Sequence, residues 1–157
     1  MPLRSDPLLQ ALDAHYQAMP PVASMQLRIA GYDGGTLCLE APLSRHVNDK
    51  GCAFGGSLVS LLTLASWGLV TLHVQRAGLE ADVFVADSEV RYLAPLFADI
   101  RAQARLEDDA SWDDFVATLR ERGRARATLV AQVPLPDGGV ATECRARFVA
   151  IRRQPRA

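Results

Sequence analysis

Residues 54–74 contain no Asp, Glu, Lys or Arg, and this uncharged segment constrains the fold more than any other feature of the sequence. A helix that is apolar on all sides is either a membrane span or the buried centre of a soluble domain. Polar residues dilute the segment at Ser57, Ser60, Thr63, Ser66 and His73. The amphipathic segments on both sides each have a hydrophobic face that must be covered by another element. We therefore expect a buried central helix over Gly56–Arg76 and no membrane.

Alternating hydrophobic residues predict strands on both sides of this helix. The predicted strands cover 25–29, 37–41, 83–93, 100–106, 127–135 and 140–151. An N-terminal helix from Ser5 to Met19 is expected to end at Pro20-Pro21, and a short amphipathic helix is expected over 111–119. Strands that are segregated from helices favour an α+β fold, with an antiparallel sheet packed on one main helix. No linker or repeat divides the sequence, so residues 1–157 are expected to form one domain, with its core at about 17–152.

Charge and cysteine content argue against several classes of function. A formal net charge of -1 disfavours broad nucleic-acid binding, which needs a basic surplus to neutralise phosphates. The three cysteines, Cys38, Cys52 and Cys144, lack metal-type spacing, and a sparse, odd set is typical of a reducing compartment. The N-terminus also lacks the apolar core of a signal peptide. We therefore expect a cytoplasmic protein without a metal or an organic cofactor.

A glycine-rich loop, residues 46–57, leads into the uncharged helix. Backbone N–H groups at a helix N-terminus have no helical partner and favour a negative charge or a polarised carbonyl. Gly55 and Gly56 carry no side chain, so a ligand could approach the backbone there. The same glycine pair is equally consistent with a close crossing of the helix and the sheet.

This loop resembles that of the hot-dog thioesterases. Asn48, Gly51 and Phe54-Gly55-Gly56 resemble the pattern Asn-x-x-Gly-x-x-His-Gly-Gly, with Phe54 in place of the histidine. Residues 88–95, which include Tyr92-Leu93-Ala94-Pro95, are similar to the strand signature that follows the central helix in that family. The segment from Gly55 to Val70 resembles one branch, a thioesterase domain found at the C-terminus of some bacterial acetyltransferase-like proteins. Here the domain is expected to stand alone.

The resemblance implies a hot-dog fold, in which a curved antiparallel sheet wraps around one long central helix. It implies a homodimer or a tetramer that hydrolyses acyl-CoA or acyl-carrier-protein thioesters. The backbone N–H of Gly56 or Gly55 would polarise the thioester carbonyl. Asn48 would orient a water or that carbonyl, unless its side chain only braces the loop. Further substrate contacts are expected at Gly51, Phe54, Gly55, Ser57, Ser60 and Ser88.

The sequence departs from the family pattern at the general base. Many hot-dog thioesterases carry an Asp or Glu about two turns into the helix, where this sequence has Thr63. No carboxylate lies anywhere between Lys50 and Glu80. Thr63 or Ser60 could hold the attacking water, or both could be spacers that bond to the helix backbone.

Two other groups could replace the missing carboxylate. Asp87 lies in an apolar strand, where a carboxylate is unusual unless it is paired, so it is either a replacement base or an ion-pair partner of Arg91. Cys52 and His46 could form a nucleophile pair, although their spacing is not specific.

Three functions remain open at this point. The missing helix carboxylate favours a non-catalytic protein that binds acyl thioesters, whereas the intact Asn48 and the glycine pair favour hydrolysis. A dehydratase or hydratase of the same fold ranks last, because Phe54 occupies the place where a histidine would be useful. Clustered arginines could bind the phosphates in a nucleotide part of the substrate, or could form a solvent-exposed face. They are Arg120, Arg122, Arg124, Arg126, Arg145 and Arg147.

Overall fold

The computed structural model describes residues 5–154. The elements, in chain order, are α1 (Pro7–Ala18), α2 (Pro20–Ala23), β1 (Arg28–Tyr32), β2 (Thr36–Ala41), a 3-10 turn (Leu43–Arg45), α3 (Gly55–Arg76), β3 (Ala81–Tyr92), β4 (Ile100–Leu106), α4 (Trp112–Arg122), β5 (Arg124–Pro134) and β6 (Val140–Arg152). The predicted α+β organisation is confirmed, because a single sheet surrounds one long helix.

The six strands form one antiparallel sheet in the order β1-β2-β4-β5-β6-β3. Helix α3 packs against five of these strands, β2 to β6, so the sheet must curve around it. Strand β3 follows α3 directly in the chain and, among the described strands, pairs only with β6, so its other side is an edge of this sheet. The C-terminal end of β3 lies beside the N-terminus of α3, where the Tyr92 hydroxyl contacts the Gly55 carbonyl.

The core explains why the segment that forms α3 is uncharged. Leu61, Leu62, Leu69 and Val70 are fully buried between α3 and its neighbours. By length and composition α3 could cross a membrane, but 61% of its most apolar window is buried inside the domain. Burial under the sheet accounts for the hydrophobicity of this helix.

Gly68 lets α1 cross α3 at close range. Tyr16 is fully buried, and its hydroxyl donates a 2.6 Å hydrogen bond to the Leu64 carbonyl. Burial raises the pKa of Tyr16, so the phenol stays a neutral donor. A β-carbon at Gly68 would overlap the Tyr16 hydroxyl and lie 2.9 Å from Leu37 Cδ2. The crossing therefore requires glycine at this position.

Near the N-terminus the structure differs from the sequence prediction. Pro20 ends α1 but also begins α2, because proline at the first helical position lacks only an N–H that has no helical partner. Gln26 then takes a left-handed φ of 54°, and the strand predicted at 25–29 begins only at Arg28. Helix α3 begins at Gly55, one residue before its predicted start.

Candidate active site

The glycine-rich loop is closed by the side chain of Asn48. Its Oδ1 atom accepts hydrogen bonds from the backbone N–H groups of Lys50 at 2.8 Å and Cys52 at 3.1 Å. Its Nδ2 atom lies 3.3 Å from Cys52 Sγ. Gly51 sits between these residues with a left-handed φ of 83°, which favours glycine. These contacts support the interpretation of Asn48 as a brace of the loop.

The N-terminus of α3 presents a group of open donors. Phe54 is the N-cap residue and makes no side-chain cap hydrogen bond, and the first helical bond runs from the Leu58 N–H to the Phe54 carbonyl at 3.0 Å. Within residues 5–154, the N–H groups of Gly55, Gly56 and Ser57 have no hydrogen-bond partner. They point along the helix axis, where the helix dipole adds positive potential. An oxygen that gains negative charge would be stabilised there.

Two aromatic rings flank this helix end. The Phe54 side chain is 56% exposed, and a β-carbon built on Gly56 would lie 2.5 Å from its Cε2 atom. The Tyr92 hydroxyl, at the end of β3, donates to the Gly55 carbonyl at 3.3 Å, and a β-carbon on Gly55 would lie 3.4 Å from Tyr92 Cε1. A side chain on Gly56 would clash with the Phe54 ring, whereas a β-carbon on Gly55 would make ordinary contact with Tyr92. Glycine at position 56 therefore lets the Phe54 ring pack against the helix end.

His46 and Ser57 form a hydrogen-bonded pair at the same helix end. His46 is 5% exposed; its Nδ1 lies 2.8 Å from Ser57 Oγ and its Nε2 lies 2.8 Å from the Met25 carbonyl oxygen. Because a carbonyl can only accept, Nε2 carries the proton in the neutral ring. Nδ1 is then an acceptor, and the Ser57 hydroxyl donates to it.

The pairing of His46 with Cys52, one of the possible replacements for the helix carboxylate, is not formed. The side-chain partner of His46 is Ser57, and Cys52 bonds to Asn48 instead. Sequence periodicity gave no signal for the observed pair, because His46 lies in an irregular loop. The sequence indicated only that Ser57 lies at the start of the helix, directly after the glycine pair.

Helix α3 presents Ser60 and Thr63 beyond its first turn. Ser60 Oγ donates to the Gly56 carbonyl at 2.7 Å, which matches its interpretation as a backbone-bonded spacer. Thr63 is half-buried, and its hydroxyl makes no hydrogen bond to another described residue. Both hydroxyls line a surface cavity of about 290 Å³ that is otherwise apolar; its remaining walls are Pro21, Val22, Met25, Val59 and Leu64.

The Asp87 carboxylate lies away from this site. Its partner is Arg147, with Nε–Oδ1 at 2.8 Å, and not Arg91, which pairs with Glu143. Arg147 alternates along β6 with buried Phe148, so the ion pair lies on the sheet face opposite α3. The hydrogen bonds from Arg147 hold the pKa of Asp87 below its usual value, which weakens it as a base.

Ser88 and Arg145 lie on opposite faces of the sheet, whereas Arg120 lies on α4. Ser88 is exposed at the β3 edge and pairs with Ala146, which belongs to the core, so it lies on the helix side of the sheet. Arg145, on the outer face, pairs with Glu107 at 2.6 Å. Arg120 donates to the Ala77 carbonyl.

A curved antiparallel sheet around one long helix, with a glycine loop at the helix N-terminus, defines the hot-dog class. The family model described as "Putative thioesterase (yiiD_Cterm)" matches residues 9–152. The chain belongs to this family.

Solved structures agree with this assignment. A Chlorobaculum tepidum protein of unknown function is 29% identical, with a TM-score of 0.86 over 92% of this chain and 94% of that one. A Shewanella oneidensis protein described as a putative thioesterase is 27% identical, with a TM-score of 0.81 over 92% of this chain and 97% of that one. A Haemophilus influenzae thioesterase shares the fold at 14% identity, with a TM-score of 0.67 and 90% of each chain covered.

Proposed function

We propose that this protein hydrolyses acyl thioesters at the N-terminus of α3. The observation that carries the proposal is the set of open N–H groups at Gly55, Gly56 and Ser57, which lies beside an apolar cavity on the same helix. Hydrolysis of a thioester passes through a tetrahedral oxyanion, and fixed backbone donors stabilise that charge without reorganisation. The thioesterase family of the chain supports the same chemistry.

The substrate is an acyl group carried on coenzyme A or on an acyl carrier protein. With its carbonyl at Gly55 and Gly56, the acyl chain would run toward Thr63, about 10 Å further along the helix at 1.5 Å per residue. The cavity of about 290 Å³ that Thr63 lines is near the lower end of the range for ligand pockets, about 300–1,000 Å³. A medium-length acyl chain would fill it and extend past it.

The active form is a homodimer that pairs through β3. This strand is twelve residues long, and its outer side lacks a neighbour among the described strands. Phe84 and Val85 on it are 54% and 47% exposed. Unpaired N–H and C=O groups beside exposed apolar side chains favour pairing with another strand. Light scattering tests this directly: the mass of the single 17.0 kDa chain at all working concentrations would contradict the dimer.

The second candidate is a protein that binds acyl thioesters without hydrolysing them, which the lack of a helix carboxylate favours. A screen of the purified protein against acyl-CoAs of graded chain length separates the two. Thiol release is followed with a chromogenic disulfide, and binding is followed by calorimetry. Binding without release above the buffer rate at every chain length would select the binder.

A further inference from the structure

We propose that Ser57 is the nucleophile of this site and that His46 is its general base. This inference rests on the proposed thioester hydrolysis. It identifies an attacking group for a site that lacks the usual helix carboxylate. Its basis is the hydrogen-bonded chain from Ser57 Oγ to His46 Nδ1 and from His46 Nε2 to the Met25 carbonyl, at 2.8 Å for each link.

The geometry has the three parts of an activated nucleophile. The hydroxyl lies within hydrogen-bond distance of a base, and a third group orients that base. The Met25 carbonyl fixes the tautomer in which Nδ1 is free to take the Ser57 proton. Once protonated, the His46 ring still has an acceptor at each nitrogen, Ser57 Oγ and the Met25 carbonyl. The charge that forms during the reaction is therefore hydrogen-bonded on both sides.

The pair is also placed beside the groups it must work with. Ser57 is the third residue of α3 and directly follows Gly55 and Gly56, whose N–H groups are open. On a helix, residues three and seven positions later lie on the same side. Ser60 and Leu64, which line the cavity, therefore follow Ser57 along one side of α3. Met25 lines that cavity too. The hydroxyl therefore lies on the side of α3 that carries cavity-lining residues, next to the helix end that presents the open donors.

The reaction balances with water as the only co-reactant. Ser57 Oγ attacks the thioester carbonyl while its proton moves to His46 Nδ1, and the C–S bond then breaks. The leaving sulfur takes the proton, so a free thiol departs and the acyl group remains as an ester on Ser57. A water attacks this ester, gives its proton to His46, and releases the carboxylic acid as Ser57 Oγ recovers a proton.

Other side chains of the described site lack one part of this arrangement. Ser60 donates to a backbone carbonyl and has no base beside it. Thr63 has no hydrogen-bond partner among residues 5–154 that could take its proton. Within residues 5–154, the Cys52 sulfur has hydrogen-bond contacts only to the side-chain amide of Asn48. Ser57 is the one hydroxyl among these with an imidazole nitrogen at 2.8 Å.

The test uses the full chain and an alkyl fluorophosphonate, which reacts with activated serines. Ser57 Oγ would form a bond to phosphorus as fluoride leaves and the proton passes to His46, so peptide mass spectrometry should find the adduct on Ser57. Thiol release from acyl-CoA is measured on the same samples. Ser57→Ala should lose the adduct and at least about a thousandfold in rate, as expected for removal of a nucleophile. Ser66→Ala is the matched control, because Ser66 bonds to the Leu62 carbonyl deep in the same helix.

His46→Asn tests the base separately. Asparagine can keep a hydrogen bond to Ser57 but takes no proton at neutral pH, so labelling and turnover should both fall while the melting temperature reports whether the fold survives. If this variant does not fold, wild type, Ser57→Ala and Ser66→Ala still decide the question.

Each result has a defined meaning. Turnover that survives in Ser57→Ala overturns the nucleophile and leaves hydrolysis standing. Loss of turnover in Ser57→Ala without labelling of the wild type also overturns it, because Ser57 then acts only through hydrogen bonding. Labelling of Ser57 in a protein that releases no thiol supports the nucleophile and overturns the proposed hydrolase. Absence of both labelling and turnover overturns both proposals.

Discussion

Replacing Gly55 with proline removes one N–H from the N-terminus of α3 without breaking a helical hydrogen bond. Gly55 is the first helical residue, where proline is well accepted, and its N–H has no partner among the described residues. The preceding Phe54 has a ψ of 132°, the extended conformation that a residue before proline requires. Gly55→Ala is the matched control, because it adds the same β-carbon, 3.4 Å from Tyr92 Cε1, and keeps the N–H.

The expected effects on rate and on stability have opposite signs. Loss of one oxyanion donor costs about 10²–10³ in kcat, or about 2.7–4 kcal/mol. A proline that fits its site stabilises the fold by about 0.4–1 kcal/mol, because it restricts the unfolded chain. Gly55→Pro should therefore hydrolyse acyl-CoA at least about a hundredfold more slowly than Gly55→Ala while melting at the same or a higher temperature.

The assay follows thiol release at saturating acyl-CoA together with thermal melting of the same samples. Equal kcat in the two variants would refute Gly55 as the donor and leave only Gly56 of the glycine pair. At Gly56 a side chain would displace the Phe54 ring, 2.5 Å from the built β-carbon, so Gly56→Val should cost at least about a hundredfold if the carbonyl binds there.

Three further substitutions test the site and the core. Asp87→Asn should leave the rate per folded molecule unchanged, because Asp87 pairs with Arg147 on the outer face; a fall of two or more powers of ten, the usual scale for a lost general base, would restore it as the base. Thr63→Ala should change the preferred acyl length more than kcat at the best length, and a large loss of kcat at every length would show that Thr63 holds the attacking water. Gly68→Ala should destabilise the fold by about 1–3 kcal/mol, because its β-carbon overlaps the Tyr16 hydroxyl, and an unchanged melting temperature would show that α1 can move aside.

The sequence is sufficient to predict the elements because their periodicity is strong and local. The uncharged segment predicts α3 to within one residue, and strand alternation predicts β4 at Ile100–Leu106 without error. The start of β1 is missed for a physical reason: Pro20 is compatible both with the end of one helix and with the start of the next.

Side-chain partners are harder to predict because they depend on strand register. Arg91 is four residues from Asp87 in the same strand, whereas Arg147 lies opposite Asp87 only once β3 and β6 have paired. His46 meets Ser57 because the backbone of Phe54 folds back to donate to the His46 carbonyl at 2.7 Å, which no local pattern encodes. The loop glycines and His46 were visible in the sequence, but the pairing of His46 with Ser57 was not.

The open edge of β3 would make the stability of the assembly depend on the concentration of the protein. If two copies share this edge, mass action makes folding depend on protein concentration, and each tenfold dilution of free protomer weakens the assembly by about 1.4 kcal/mol. Dilution would uncover Phe84 and Val85, while the bulge between Val85 and Asp87 limits how many registers a foreign strand could adopt. The cellular amount of this protein would then set how much of it is assembled.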